Sequence, residues 1–111
     1  MDKQLLEQRI SEHEEWLSIN PAVKNIKVFE PELFRALYLF KQNIGDVSII
    51  RKDLSYACFY RCKLHLVNFS NTKLKGAIFI QCTINKCIFD YNEMSKAKII
   101  ECDVHDISYG V

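Results

Sequence analysis

The sequence predicts a short-period repeat fold preceded by a short helical segment. Three observations carry this. Every fifth residue from Ile44 is large and apolar: Ile44, Ile49, Leu54, Phe59, Leu64, Phe69, Leu74, Phe79, Ile84, Phe89, Met94, Ile99, Val104 and Tyr109. An α-helix repeats every 3.6 residues and a flat strand every 2, so neither makes such a series, and a fixed short period marks a repeat architecture. Two residues before each large one the side chain is usually small, as at Val47, Ala57, Cys62, Val67, Thr72, Ala77, Cys82, Cys87, Ala97 and Cys102. Residues 1–41 follow a helical spacing instead.

Asp2 to Leu17 places Leu6, Ile10, His13 and Leu17 at 4, 3, 4 spacing, with Leu5 and Trp16 alongside. That is one face of an amphipathic helix. Asp2 is its candidate cap, and Pro21 lies just past its end, where a helix cannot easily continue. Pro31 suits the first position of a second helix running to about Lys41. Leu33, Phe34, Leu37, Leu39 and Phe40 make that segment apolar all round, so it is expected to be buried. An earlier start of the coil is the alternative, because Phe29, Phe34 and Leu39 also fall on the five-residue beat. Lys27 and Glu32 would then point inward, so the helix is the favoured reading.

From Gln42 the chain divides into fourteen quintets that end flush with Val111. Asn or Asp often separates the small residue from the large one, as in Val67–Asn68–Phe69, Lys52–Asp53–Leu54 and Cys102–Asp103–Val104. This pattern resembles the pentapeptide repeat family, whose quintets centre on Leu or Phe preceded two residues earlier by a small residue. His13–Glu14–Glu15–Trp16–Leu17 is similar to the short helical leader before the repeats in some bacterial members. The resemblance implies a right-handed quadrilateral β-helix, one quintet per side and 20 residues per coil. The chain is then one domain: residues 1–41 as an α-helical cap and residues 42–111 as about 3.5 coils, roughly 17 Å tall at strand spacing. Residues 20 apart should stack, and they match in kind: Ala57, Ala77 and Ala97; Cys62, Cys82 and Cys102; Phe59 and Phe79; Phe69 and Phe89. Leu54, Phe59, Leu64, Phe69, Leu74, Phe79, Ile84, Phe89, Met94 and Ile99 are the expected core. It is dry and narrow, with no room for a substrate.

Composition bounds the function. The 111 residues carry 15 basic and 14 acidic side chains, a net charge of +1. That balance predicts neither a nucleic-acid binder nor an acidic mimic of one. No apolar run reaches transmembrane length and no signal-peptide pattern opens the chain, so it reads as soluble and unsecreted. Five cysteines without a CxxC pair argue against a disulfide scaffold.

The column Cys62, Cys82 and Cys102, with Cys87 on the next side, invites a metal or redox reading. Zinc needs four ligands converging tetrahedrally, whereas a stacked column points its thiols in parallel, so these read as small core residues. Cys58 falls at an outward position with nothing nearby to activate it. His65, Asn85 and His105 form an outward column whose two histidines stand about 9.6 Å apart, too far to share a metal. Lys52, Thr72 and Asn92 take inward small positions in one column, where Thr72 and Asn92 are placed to hydrogen-bond up the ladder and Lys52 to turn towards the helical segment. No nucleophile–base pair and no phosphate loop emerges, so no catalytic residue, metal or cofactor is expected.

The anomaly is on the outside. Cys58 and Tyr60, Ile78 and Ile80, and Lys98 and Ile100 occupy outward positions of one side, with Tyr60, Ile80 and Ile100 stacked. A contiguous apolar strip needs a partner. It is covered by the helical segment, by a second copy in a symmetric dimer, or by another protein. The chain stops with the last quintet, so Val104, Ile107, Tyr109 and Val111 are expected to be partly exposed at an open end, stacked on a second copy or continued in a longer chain.

The reading these residues favour is a non-enzymatic interaction module that associates with itself or with an unidentified protein, without nucleic acid, membrane or small-molecule substrate. The resemblance implies a bacterial, cytoplasmic protein. It also brings an alternative, a DNA mimic that binds gyrase or another topoisomerase. Such mimics are longer and strongly acidic, whereas residues 42–111 carry 9 basic and 7 acidic side chains. A targeting fragment of a larger bacterial effector is the third possibility, and a chain this short has no room for the catalytic domain such effectors carry.

Overall fold

A computed structural model describes residues 1–19 and 37–110. Helix α1 spans Lys3–Ile19. The strands are β1 (Tyr38–Phe40), β2 (Asn43–Ser48), β3 (Cys58–Tyr60), β4 (Lys63–Phe69), β5 (Ile78–Ile80), β6 (Thr83–Asn85) and β7 (Ile88–Asp90). A single helical turn, α2 (Tyr91–Met94), precedes β8 (Lys98–Ile100), β9 (Asp103–His105) and β10 (Ser108–Gly110). All strand pairs are parallel and join residues 20 apart. One sheet stacks β1, β3, β5 and β8. The columns Ile44–Leu64–Ile84–Val104 and Phe69–Phe89–Tyr109 run down the next two sides. Among the described residues the fourth side has only the bridge Asp53–Lys73 before α2. The result is a mainly β solenoid of about four coils with an N-terminal helix.

Five-residue sides need a sharp corner after each. From Lys41 to Asp106 every fifth residue is left-handed, with φ between 51° and 71°, except at Tyr91 and Lys96, where α2 replaces the corner. Only one of these corners is glycine, Gly76. A left-handed residue with a side chain costs about 1–2 kcal/mol. The ladder offsets that cost, because each side's amides reach the coil before. Cys58 N–H donates to Leu37 O, Ile78 N–H to Ala57 O and Lys98 N–H to Ala77 O, each at 2.9 Å.

Inside, Phe59 lies flat on Phe79 (4.7 Å, 4°) and Phe69 on Phe89 (4.8 Å, 4°), while the two stacks meet edge to face at 6.3–6.5 Å. Both arrangements suit the aromatic quadrupole. The small inward residues do more than make room. The thiols of Cys62, Cys82 and Cys102 donate to the carbonyls of Leu39, Phe59 and Phe79 at 3.1–3.2 Å, and Thr72 Oγ1 donates to Ile49 O at 2.5 Å. Each reaches back 23 residues and ties one coil to the next.

Three expectations are corrected. Tyr38–Phe40 is a strand, although a helix to about Lys41 was favoured. Leu39 is buried on Phe59, and Lys41 N–H donates to Tyr60 O, so a helix here would leave the upper edge of β3 unpaired. The rest of that segment, with Pro21, Lys27, Phe29, Pro31, Glu32, Leu33 and Phe34, lies outside the described residues. Met94 and Ile99 are not fully in the core. Met94 is half-buried and Ile99 is 37 % exposed, because no described coil covers the last one. Asn92 is exposed rather than inward, since its quintet forms α2: Asp90 Oδ1 caps it by accepting from Asn92 N–H and Glu93 N–H. The other eight expected core residues, from Leu54 to Phe89, are fully buried.

Helix α1 closes the first coil. Asp2 Oδ1 accepts from Gln4 N–H as its cap. The face Leu6, Ile10, His13 and Leu17 is the buried one. Leu6 and Ile10 join the core with Leu37, Leu39, Ile44 and Ile49. Polar ties fix the rest: Arg9 Nη2 donates to Tyr38 O (3.3 Å), and Glu14 Oε2 accepts from Asp53 N–H (3.1 Å). Lys52 is exposed and lines a cavity of about 300 Å³ between the helix and the first coil, beside Lys3 and Glu7.

Candidate interaction surface

The apolar strip stands on the side built from β1, β3, β5 and β8. Its outward column after the core residue reads Phe40, Tyr60, Ile80 and Ile100, in register. Phe40 and Ile100 are each 42 % exposed, and Tyr60 and Ile80 are half-buried. Phe40 meets Tyr60 edge to face at 5.3 Å. Phe40 was missed by sequence reasoning because it was assigned to a helix. Its 20-residue offset from Tyr60 was the available signal.

The column before the core residue differs. Cys58 is 1 % exposed and Ile78 is 7 % exposed, although both were expected to face solvent. The equivalent Lys63, Lys73 and Thr83 on other sides are exposed. Cys58 and Ile78 are thus already covered within the single chain. The surface left for a partner is therefore narrower than expected, and only Lys98 of that column is open. Burial pushes the Cys58 thiol up to about 12, so it is a poor nucleophile at neutral pH.

Charged residues border the strip at the corner. Arg61 Nε donates to Gln81 Oε1 and Gln81 Nε2 to Glu101 Oε2, each at 3.0 Å. The Arg61 guanidinium also lies 5.3 Å over the Tyr60 ring, and Lys41 Nζ lies 5.3 Å over Phe40. This is an apolar ladder beside a polar one, the layout of a protein interface with an apolar centre and a polar rim.

The remaining candidates separate. Val104 and Ile107 are half-buried and Tyr109 is 49 % exposed, packed edge to face on Tyr91 at 5.3 Å. Val111 lies outside the described residues. Asn85 Nδ2 reaches His65 Nδ1 at 3.3 Å, and His105 pairs with Asp103 at 2.7 Å, so the outward column is locally satisfied. The Cys62, Cys82 and Cys102 thiols are spent on carbonyls. The neighbouring Cys62 sulfur and burial push Cys82 up, and burial pushes Cys87 up. Among the described residues no three His, Cys, Asp or Glu side chains are grouped to hold a metal ion, and no helix is long and apolar enough to cross a membrane.

Residues 68–106 match the model of the family described as pentapeptide repeats, in 8 copies. The chain is a pentapeptide repeat protein. Its solenoid geometry runs beyond the matched stretch, back to Leu37 and on to Gly110. The earlier quintets depart more from the family pattern, with Ile44 and Ile49 in place of Leu or Phe. No curated protein and no solved structure matches the chain. A pentapeptide repeat solenoid is a structural or interaction scaffold.

Proposed function

We propose that this pentapeptide repeat protein is a non-enzymatic scaffold that pairs with a second copy of itself through the ladder Phe40, Tyr60, Ile80 and Ile100. The observation that carries this is the stack of four apolar residues in outward positions, with exposed members at both ends. A strip of this kind is self-complementary under a two-fold axis: a ladder laid antiparallel on its copy sets Phe40 against Ile100 and Tyr60 against Ile80. The corner Lys41, Arg61, Gln81 and Glu101 supports the same geometry, since antiparallel pairing in this register brings Lys41 of one copy towards Glu101 of the other and Arg61 towards Gln81. The balanced charge of residues 42–111 does not favour a mimic of nucleic acid.

The test is solution mass by light scattering after gel filtration, on the wild type and on Ile100→Glu and Ile80→Glu. The wild type is expected at the mass of two chains and both variants at the mass of one, with unchanged circular dichroism. A wild type that stays at one chain mass at high concentration overturns the proposal.

A further inference from the structure

His13 is the buried ionisable side chain that joins helix α1 to the coil, at 2 % exposure. Both ring nitrogens are engaged. Nδ1 accepts from the backbone N–H of Leu37 at 3.0 Å, and Nε2 faces the carbonyl of Ser55 at 2.9 Å. A backbone N–H only donates and a carbonyl only accepts. The ring is therefore neutral, with its proton on Nε2. A second proton on Nδ1 would point at the Leu37 N–H, and that contact would be lost.

We infer that His13 is a pH-operated latch: neutral, it clamps α1 to the two chain segments at Leu37 and Ser55, and protonated, it releases the helix from the first coil. Burial holds the imidazole below its usual range. The hydrogen bond to Ser55 and the carboxylates of Asp53, on the coil, and Glu14, on α1, oppose that shift without reversing it. Arg9, one turn earlier on α1, has its guanidinium held by Tyr38 O. The sign follows. The released state takes up the proton at the free imidazole value of 6.5, the docked state only at a lower pH. The latch is thus closed above about pH 6.5, and the docked-to-released ratio falls by up to about tenfold for each pH unit below it.

The chain supplies its own reporter. Trp16 is the single tryptophan and lies over the His13 ring, with centroids 6.1 Å apart and planes at 18°. Acrylamide quenching of Trp16 and the amide-exchange protection factor of Leu37 would be followed from about pH 8 to about pH 5, the range in which histidine titrates. Quenching is expected to rise and Leu37 protection to fall by an order of magnitude or more, while the Phe79 amide in β5 stays protected. His13→Gln is expected to abolish the pH response, whether its helix stays docked or is released throughout. An unchanged Trp16 and Leu37 in the wild type would overturn the latch. So would a response that persists in His13→Gln, which would assign the titration to other groups, such as the surface histidines His65 and His105.

Discussion

Replacing Phe79 with Ala removes the ring at the centre of the core. Phe79 is fully buried, stacked on Phe59 at 4.7 Å and met edge-on by Phe69 and Phe89 at 6.3 Å. An aromatic ring of about 200 Å² at about 25 cal/mol per Å² corresponds to about 5 kcal/mol of transfer free energy. Measured Phe→Ala changes in cores fall at about 3–5 kcal/mol, the spread reflecting how far the site collapses. Collapse is hindered here, because β5 is pinned in register between β3 and β8. The upper part of the range, about 4–5 kcal/mol, is therefore expected. A small domain has about 5–15 kcal/mol of stability in all, so melting should fall by about 20 °C or more. Urea denaturation followed by circular dichroism measures this. The control is Ile99→Ala, one coil further along the same column but 37 % exposed, for which about 1–2 kcal/mol is expected. Equal losses in the two variants, or a Phe79→Ala loss below about 1 kcal/mol, would refute the packing argument.

Two further predictions concern the backbone. Thr72→Val keeps the shape but removes the hydroxyl that donates to Ile49 O, and is expected to cost about 1–3 kcal/mol in the same denaturation assay, with Thr72→Ser much closer to the wild type. At Gly76, φ is +71° and an added Cβ would come within 2.5 Å of the Tyr56 ring, so Gly76→Ala should destabilise by more than about 1 kcal/mol. Tyr56→Ala should relieve the steric part, which a double-mutant cycle would detect as a coupling between the two changes.

The inward half of the molecule was legible because its constraint is periodic. Each side must place one large and one small residue inside, so Leu54 to Phe89 announce themselves by spacing alone. The face of α1 was legible for the same reason, with Leu6, Ile10, His13 and Leu17 buried as the 4, 3, 4 spacing requires. Periodicity failed where two rules overlapped. Leu37 to Phe40 is apolar on every face, so it satisfies a helix and a coil side equally, and the free edge of β3 decides for the coil. It also failed at the last coil, where Ile99 keeps the beat but has no described layer over it.

Outward positions obey no such rule, and there the sequence was read correctly only in part. Tyr60, Ile80 and Ile100 form the expected stack, yet Cys58 and Ile78 beside them are buried by the chain itself. Alternation predicts which way a side chain leaves the backbone, whereas coverage depends on what else packs there. The same distinction explains His13. Its spacing marks it as a buried position on α1, but its partners, Leu37 N–H and Ser55 O, lie 24 and 42 residues away and are brought together only by the closed coil. A solenoid folds by nearest-neighbour contacts between coils. Among the described residues its first coil has a neighbouring coil on one side alone, and α1 packs on the other. That is where a single titrating ring, holding the backbone groups of Leu37 and Ser55, has leverage on whether the coil stays closed.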